Sequence, residues 1–269
     1  MTQALLPAIE RRIFRRRMIT AVIAALVLIW FGVTAASFGL TPARLMDAAL
    51  RLFQFAGEAL PPSPGPFQEP ILLALAETIA MAFLGTLAAA IIGLPLGVLA
   101  ARTVLTIKPI HFALRRVLDI FRTIPAIIWA FIFVRAVGLG PMAGWLAIAM
   151  SDFAAFAKLH GEAIENVDNK AAEAMRATGA GRTLVLRFGI LPASLPVYLA
   201  QVLYFFESNI RSAAILGIVG AGGIGFQLSE RVRGYLWDQV FFIIILFLVI
   251  AALLDMASRA LRKRLMRGT

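Results

Sequence analysis

The chain has 269 residues, 61% of them hydrophobic and only 15% charged, with a mean hydropathy of +0.86. That composition leaves too little polar surface for a water-soluble globule and is that of a polytopic membrane protein. Zero cysteines exclude disulfides, thiol catalysis and cysteine-ligated metals, and the net charge of +11 has to be placed along the chain before it can be assigned a partner.

A bilayer-spanning helix needs roughly 20 apolar residues. On that criterion spans are expected near 18–40, 71–101, 123–138, 141–157, 192–207 and 239–258, the third short and the second long enough to tilt or protrude. The chain opens on Arg11, Arg12, Arg15, Arg16 and Arg17 directly before the first run. Five arginines in that position read as an orientation signal rather than as an RNA-binding arm. The run itself is too long, and too poorly followed by small residues, for a cleaved signal peptide, so it is expected to be retained.

Residues 41–70 split in two. TPARLMDAALRLFQFAGEAL places Leu45, Ala49, Leu52 and Phe53 at helical spacing, with Arg44, Asp47, Arg51 and Glu58 toward water, and PPSPGP at 61–66 is a stiff linker. The first piece is expected to be an interfacial helix, lying on lipid or meeting an extracytoplasmic partner. After the second span come Arg102, Lys108, Arg115, Arg116 and Arg122. Two further basic groups follow: Lys158, Lys170, Arg176, Arg182 and Arg187, then Arg259, Arg262, Lys263, Arg264 and Arg267. With six spans all four basic groups share one face, which the positive-inside rule makes cytoplasmic. The charge is therefore topology and not a nucleic-acid footprint, and both termini are expected in the cytoplasm.

In FRTIPAIIWAF, residues 121–131, Thr123 is placed to cap a helix with Pro125 in its first turn. Similar Arg-Ser/Thr-Ile-Pro openings occur in the methionine and phosphonate branches of ABC permeases. His111 and His160 stand alone in sequence; neither has a spaced partner for a metal, and both are read as interfacial.

The stretch EAMRATGAGRTLVLRFGILP, residues 173–192, is charged and glycine-punctuated between very apolar runs. Asp168 or Asn169 can cap a short helix carrying Ala171, Ala172, Glu173 and Ala174. Gly179 or Gly181 can end it, and the Leu191-Pro192 step opens a new element. This stretch resembles the EAA loop of ABC-importer permeases, in which Glu-Ala-Ala is followed at fixed spacing by Gly and by Ile-x-Leu-Pro. Glu173, Ala174, Gly179, Leu191 and Pro192 fall on matching slots; Met175 replaces the second Ala and Gly189 the Ile. The resemblance implies that Glu173, Ala174, Met175, Gly179, Leu191 and Pro192 form a coupling helix and its exit, seated in a groove of a separate ATPase subunit.

Within the fifth span and just beyond, FESNIRSAAILGIVGAGGIG, residues 206–225, carries polar groups at membrane depth. Glu207 and Arg211 are four apart and can pair on a helix, as can Ser208 and Ser212. They can form a self-satisfied pair at a helix end. Alternatively Glu207, Ser208, Asn209, Arg211 and Ser212 line a path for an oxyanion, which needs charge-assisted and hydroxyl donors once dehydrated. Glu77 and Asp152 are read as bundle-stabilising, and Arg135 as snorkelling outward. Gly220, Gly222 and Gly225 spell GxGxxG, but no βαβ unit surrounds them, so a dinucleotide site is rejected. Together with Gly217 and Gly223 they are read as gate or packing glycines in a broken or re-entrant 208–235 segment. The combination resembles the segment that follows the EAA loop in phosphonate-type permeases.

The resemblance thus implies an all-α membrane protein of about six transmembrane helices with the type I ABC importer (MetI-like) fold. Residues 1–70 hold the basic segment, first span, interfacial helix and Pro-rich linker, and 71–269 the permease domain with its EAA loop near 161–192. It implies a multi-pass protein of the bacterial inner membrane that carries a phosphonate, phosphite or phosphate by alternating access; methionine or another solute, and a secondary transporter, are the other readings. No P-loop is present, so ATP and Mg are expected in a partner and no enzymatic site in this chain. The implied partners are a second copy of the chain, two ATP-binding cassette subunits, an extracytoplasmic solute-binding protein and lipid.

Overall fold

The computed structural model describes residues 6–66, 68–105, 107–167 and 170–267, and among them all regular structure is helical. The chain divides into two compact units, 1–60 and 61–269. The first holds α1 (Leu6–Ser37) and α2 (Pro42–Glu58). Thr41 caps α2, its Oγ1 accepting the Arg44 N–H at 3.3 Å, and Pro42 takes the first turn, where its missing donor costs nothing.

The second unit is built on α3 (Gln68–Ala100) and α6 (Pro141–Glu165). Gly85, Ala89, Gly93 and Gly97 recur every four residues along α3 and let the two backbones close: a Cβ on Gly85 would fall 2.6 Å from that of Ile148, and one on Gly97 2.7 Å from that of His160. In lipid, where apolar side chains gain little by meeting each other rather than acyl chains, such close approach is a main source of helix association. Across this pair lie α9 (Leu191–Leu216) and α11 (Trp237–Arg267). Met81, Ile148, Ile210 and Leu216 form the buried centre. Tyr198 donates its hydroxyl to the Ala90 carbonyl at 2.6 Å, and the Asn209 amide donates to Thr86 Oγ1 at 2.9 Å and to Asp152 Oδ2 at 2.6 Å. Asp152 thus holds the bundle together, as its position in a span suggests.

Among the described residues five helices are long and apolar enough to cross a membrane, or six if the bent pair α4 (Lys108–Thr123) and α5 (Ala126–Val137), which meet at 81°, counts as one broken span. With 12 residues, α5 reaches about 18 Å, short of the ~30 Å hydrocarbon core. Pro125, not Thr123, is its N-cap; Thr123 ends α4 and turns its hydroxyl back onto the Asp119 carbonyl at 2.8 Å. The pre-proline residue Ile124 is extended, with ψ 115°, because the α region is crowded before proline, and there the chain turns.

Three spans run further than the apolar runs suggest. α6 continues through Lys158 to Glu165, α9 through Arg211 to Leu216, and α11 to Arg267, since intrahelical bonds form regardless of a polar side chain that finds a partner. His160 is not interfacial: it is fully buried and tilted over the Tyr198 ring at 4.4 Å. No break precedes Leu191-Pro192 either. Helix α8 (Arg182–Leu184) runs through a π-helical turn, Val185–Ile190, straight into α9, with Pro192 in the α-helical first turn where it is tolerated.

Candidate coupling helix and translocation elements

Helix α7 (Lys170–Ala177) carries the EAA residues; the proposed caps Asp168 and Asn169 lie outside the described residues. Gly179 ends it. The Ala180 N–H reaches back to Met175 O at 3.2 Å, the Gly179 N–H to Arg176 O at 3.0 Å, and Gly179 has φ +79°. This is a Schellman turn, and its left-handed residue is the one position in the helix that requires glycine. Ala172 is buried against Val185, Ile190, Ala101 and Ile164, whereas Glu173, Ala174 and Arg176 face outward. The helix thus presents a charged face while its small-residue face rests on the π-helical turn and on the ends of α3 and α6. Leu191 borders the same cluster. A cavity of about 600 Å³ opens beside it, lined by Thr103, Val104, Arg176, Arg182 and Leu186 among others.

The polar group on α9 is divided. Glu207 meets Arg211 at 3.8 Å and, more closely, Arg262 of α11 at 2.9 Å. Asn209 is buried in the Thr86–Asp152 link, and Ser212 lies 3.4 Å from the Ser208 carbonyl. Arg211 is the exposed member, its side chain 54% accessible. Arg262 escapes a reading by sequence because it sits among the terminal basic residues, 55 positions from Glu207; only the antiparallel packing of α11 on α9 brings them together.

The glycine segment forms an irregular turn at membrane depth. After α9 come a π-helical turn (Gly217–Ala221), kinked at Gly220 with φ +97°, and then α10 (Gly223–Arg233). The tip of the α5–α6 hairpin meets this kink, the Gly140 N–H donating to Gly220 O at 3.0 Å. A Cβ on Gly222 would come 2.9 Å from the Pro141 ring. Gly217 and Gly225 are packed against each other. The start of α10 is capped from α3: Gly223 N–H donates to Glu77 Oε2 at 3.2 Å and Ile224 N–H to Thr78 Oγ1 at 2.8 Å. Broken backbone is tolerable in hydrocarbon only when its freed groups find protein partners, and here α3 and α6 supply them. At the far end of α10, Arg231 is buried and bonds the Gln239 and Gln227 side-chain oxygens at 3.1 and 2.6 Å, fastening α10 to the start of α11.

A long paired core, a short helix seated on three helix ends and a broken segment facing a short hairpin are the architecture of a multi-pass membrane transport subunit. The chain belongs to the family of binding-protein-dependent transport system inner membrane components, whose model matches residues 93–267. It is 36% identical to the phosphite transport system permease protein PtxC of Stutzerimonas stutzeri over 81% of this chain and 79% of that one. It is 33% identical to the phosphate-import permease protein PhnE of Mycolicibacterium smegmatis over 87% of this chain but 44% of the longer relative. The fold matches an inward-facing MetNI methionine ABC transporter, with TM-score 0.62 and 23% identity over 76% of this chain and 99% of that one. The chain is therefore an ABC-importer permease of the bacterial inner membrane with the MetI-like helical fold.

Proposed function

We propose that this permease carries a phosphorus oxyanion, whether phosphonate, phosphite or phosphate, into the cell by alternating access. The observation that carries the substrate class is the alignment of phosphite and phosphate permeases over 81% and 87% of the chain. In this reading two copies of the chain form the path, two ATP-binding cassette subunits supply ATP and Mg, and a solute-binding protein delivers cargo from outside. The basic segments and both termini are cytoplasmic.

Coupling follows from how α7 is seated. Glu173, Ala174 and Arg176 are offered to the ATPase subunit, and Ala172 with Met175 rest on the π-helical turn that runs unbroken into α9. Displacing α7 therefore moves the ends of α3, α6 and α9 as one body. Along α9 the displacement reaches Glu207, Ser208, Asn209, Arg211 and Ser212, where Arg211 offers the charge an oxyanion needs, weakly enough for release. It ends at Gly217, Gly220, Gly222, Gly223 and Gly225, whose packing on the α5–α6 hairpin and α3 forms the outer gate.

The test is ATPase activity and uptake of the permease reconstituted with its ATPase and binding protein, with phosphite, methylphosphonate or methionine as cargo. Stimulation by the phosphorus anions, lost in Glu173→Lys, is expected. Stimulation by methionine alone would overturn the substrate class, and an unaffected Glu173→Lys would overturn the coupling role.

A further inference from the structure

Helix α4 has no part in the mechanism above, yet it is strongly amphipathic. Ile110, Val117 and Ile120 are exposed on one flank, with Ala113 between them. The opposite flank, together with the α3–α4 connection and α6, encloses a cavity of about 790 Å³ lined by Arg102, Lys108, His111, Arg115, Arg116 and Lys158. Two carboxylates answer these charges. Glu165 takes Arg115 at 2.7 Å, and Asp119 is shared between Lys158 at 2.7 Å and Arg116 at 3.3 Å. His111 Nε2 lies 3.0 Å from the Ala100 carbonyl. Among the described residues the side chains of Arg102 and Lys108 have no partner, and the cavity keeps a cationic excess. Arg116 is further held over the Phe112 ring at 5.0 Å.

We infer that this cavity binds the phosphate headgroup of an anionic phospholipid. The 81° bend between α4 and α5 is that of a helix lying in the plane of the interface before the chain dives into the bilayer. A basic flank beside an exposed apolar one is how interfacial helices engage acidic lipids. Headgroup phosphate and acyl chain would then meet the two flanks at once, a match that a free anion, meeting only the cationic one, lacks. Lys158 and the Arg115–Glu165 pair fix the cavity to the end of α6, immediately before α7. A lipid there stiffens the platform on which the coupling helix rests.

The experiment is native mass spectrometry of the full chain, alone and in complex with its ATPase subunits. Phosphatidylglycerol and phosphatidylcholine serve as lipid probes and inorganic phosphate as competitor. Arg102→Gln combined with Lys108→Gln removes only the two unpartnered charges; Arg51→Gln combined with Arg233→Gln is the control of equal charge. Phosphatidylglycerol held by the wild type and the control, and about 30-fold more weakly by the first variant, is expected, equivalent to ~1 kcal/mol for each charge. Equal retention of phosphatidylcholine, unchanged retention in the variant, displacement by inorganic phosphate, or expulsion of the lipid when the ATPase subunits dock would each overturn the assignment.

Discussion

Met175 and Gly189 are the two residues at which the chain leaves the EAA pattern, and they face each other. An ideal Cβ on Gly189 would lie 3.5 Å from Met175 Sδ and 3.2 Å from Ala172 Cα, so a larger residue on α7 and a smaller one on the π-helical turn fill one shared volume. Gly189→Ile alone should over-pack this contact and cost about 1–3 kcal/mol. Adding Met175→Ala should recover part of the loss, with a coupling of about 0.5–3 kcal/mol. Thermal denaturation of the three variants in detergent checks this, and additive losses would show that the exchange is not compensatory. A second residue-scale prediction concerns Asn209. Asn209→Leu takes the amide donor from the Asp152 carboxyl, leaving it the Ser151 side chain, and should cost about 1–3 kcal/mol, whereas Asn209→Leu with Asp152→Leu should be closer to neutral; the same melts decide it.

Among the elements, α10 leans on a neighbour at its start, where its first two N–H groups are satisfied by Glu77 and Thr78 of α3. Thr78→Val should leave the Ile224 N–H unpaired in an apolar setting at a cost of about 1–3 kcal/mol. Hydrogen exchange should then accelerate at Gly223 and Ile224 while the centre of α3 stays protected; unchanged exchange would show that α10 is held by packing alone. The element scale also explains what the sequence discloses. Apolar runs mark the spans, and glycine spacing marks the α7 turn, because both signals are local. The reach of α9 to Leu216 and the burial of His160 depend on partners distant in the chain, such as Tyr198, and have no local signature. The same holds for the site: Glu173, Gly179 and Arg211 are legible as an exposed carboxylate, a turn glycine and a membrane-depth charge. Arg262, which takes Glu207 from the opposite helix, is not.

For the whole molecule the charge distribution and the helix geometry make the same demand. If the four basic segments face the cytoplasm, α3 runs inward, the α4–α5 pair outward, α6 inward, and α11 inward again from Trp237. The turn before α7 and the connection between α10 and α11 then lie on opposite sides of the bilayer. Because the chain has zero cysteines, single substitutions report on sidedness without background. Thr178→Cys lies on the exposed end of α7, and Tyr235→Cys replaces a residue 78% accessible between α10 and α11. In right-side-out vesicles a membrane-impermeant maleimide should label Tyr235→Cys and spare Thr178→Cys, and in inverted vesicles the pattern should reverse. Docking of the ATPase subunits should then shield Thr178→Cys in inverted vesicles, since α7 is the surface they would cover. Labelling of both positions from one side would contradict the helix count, and a reversed pattern would put the basic segments outside and remove the physical basis for seating an ATPase on α7.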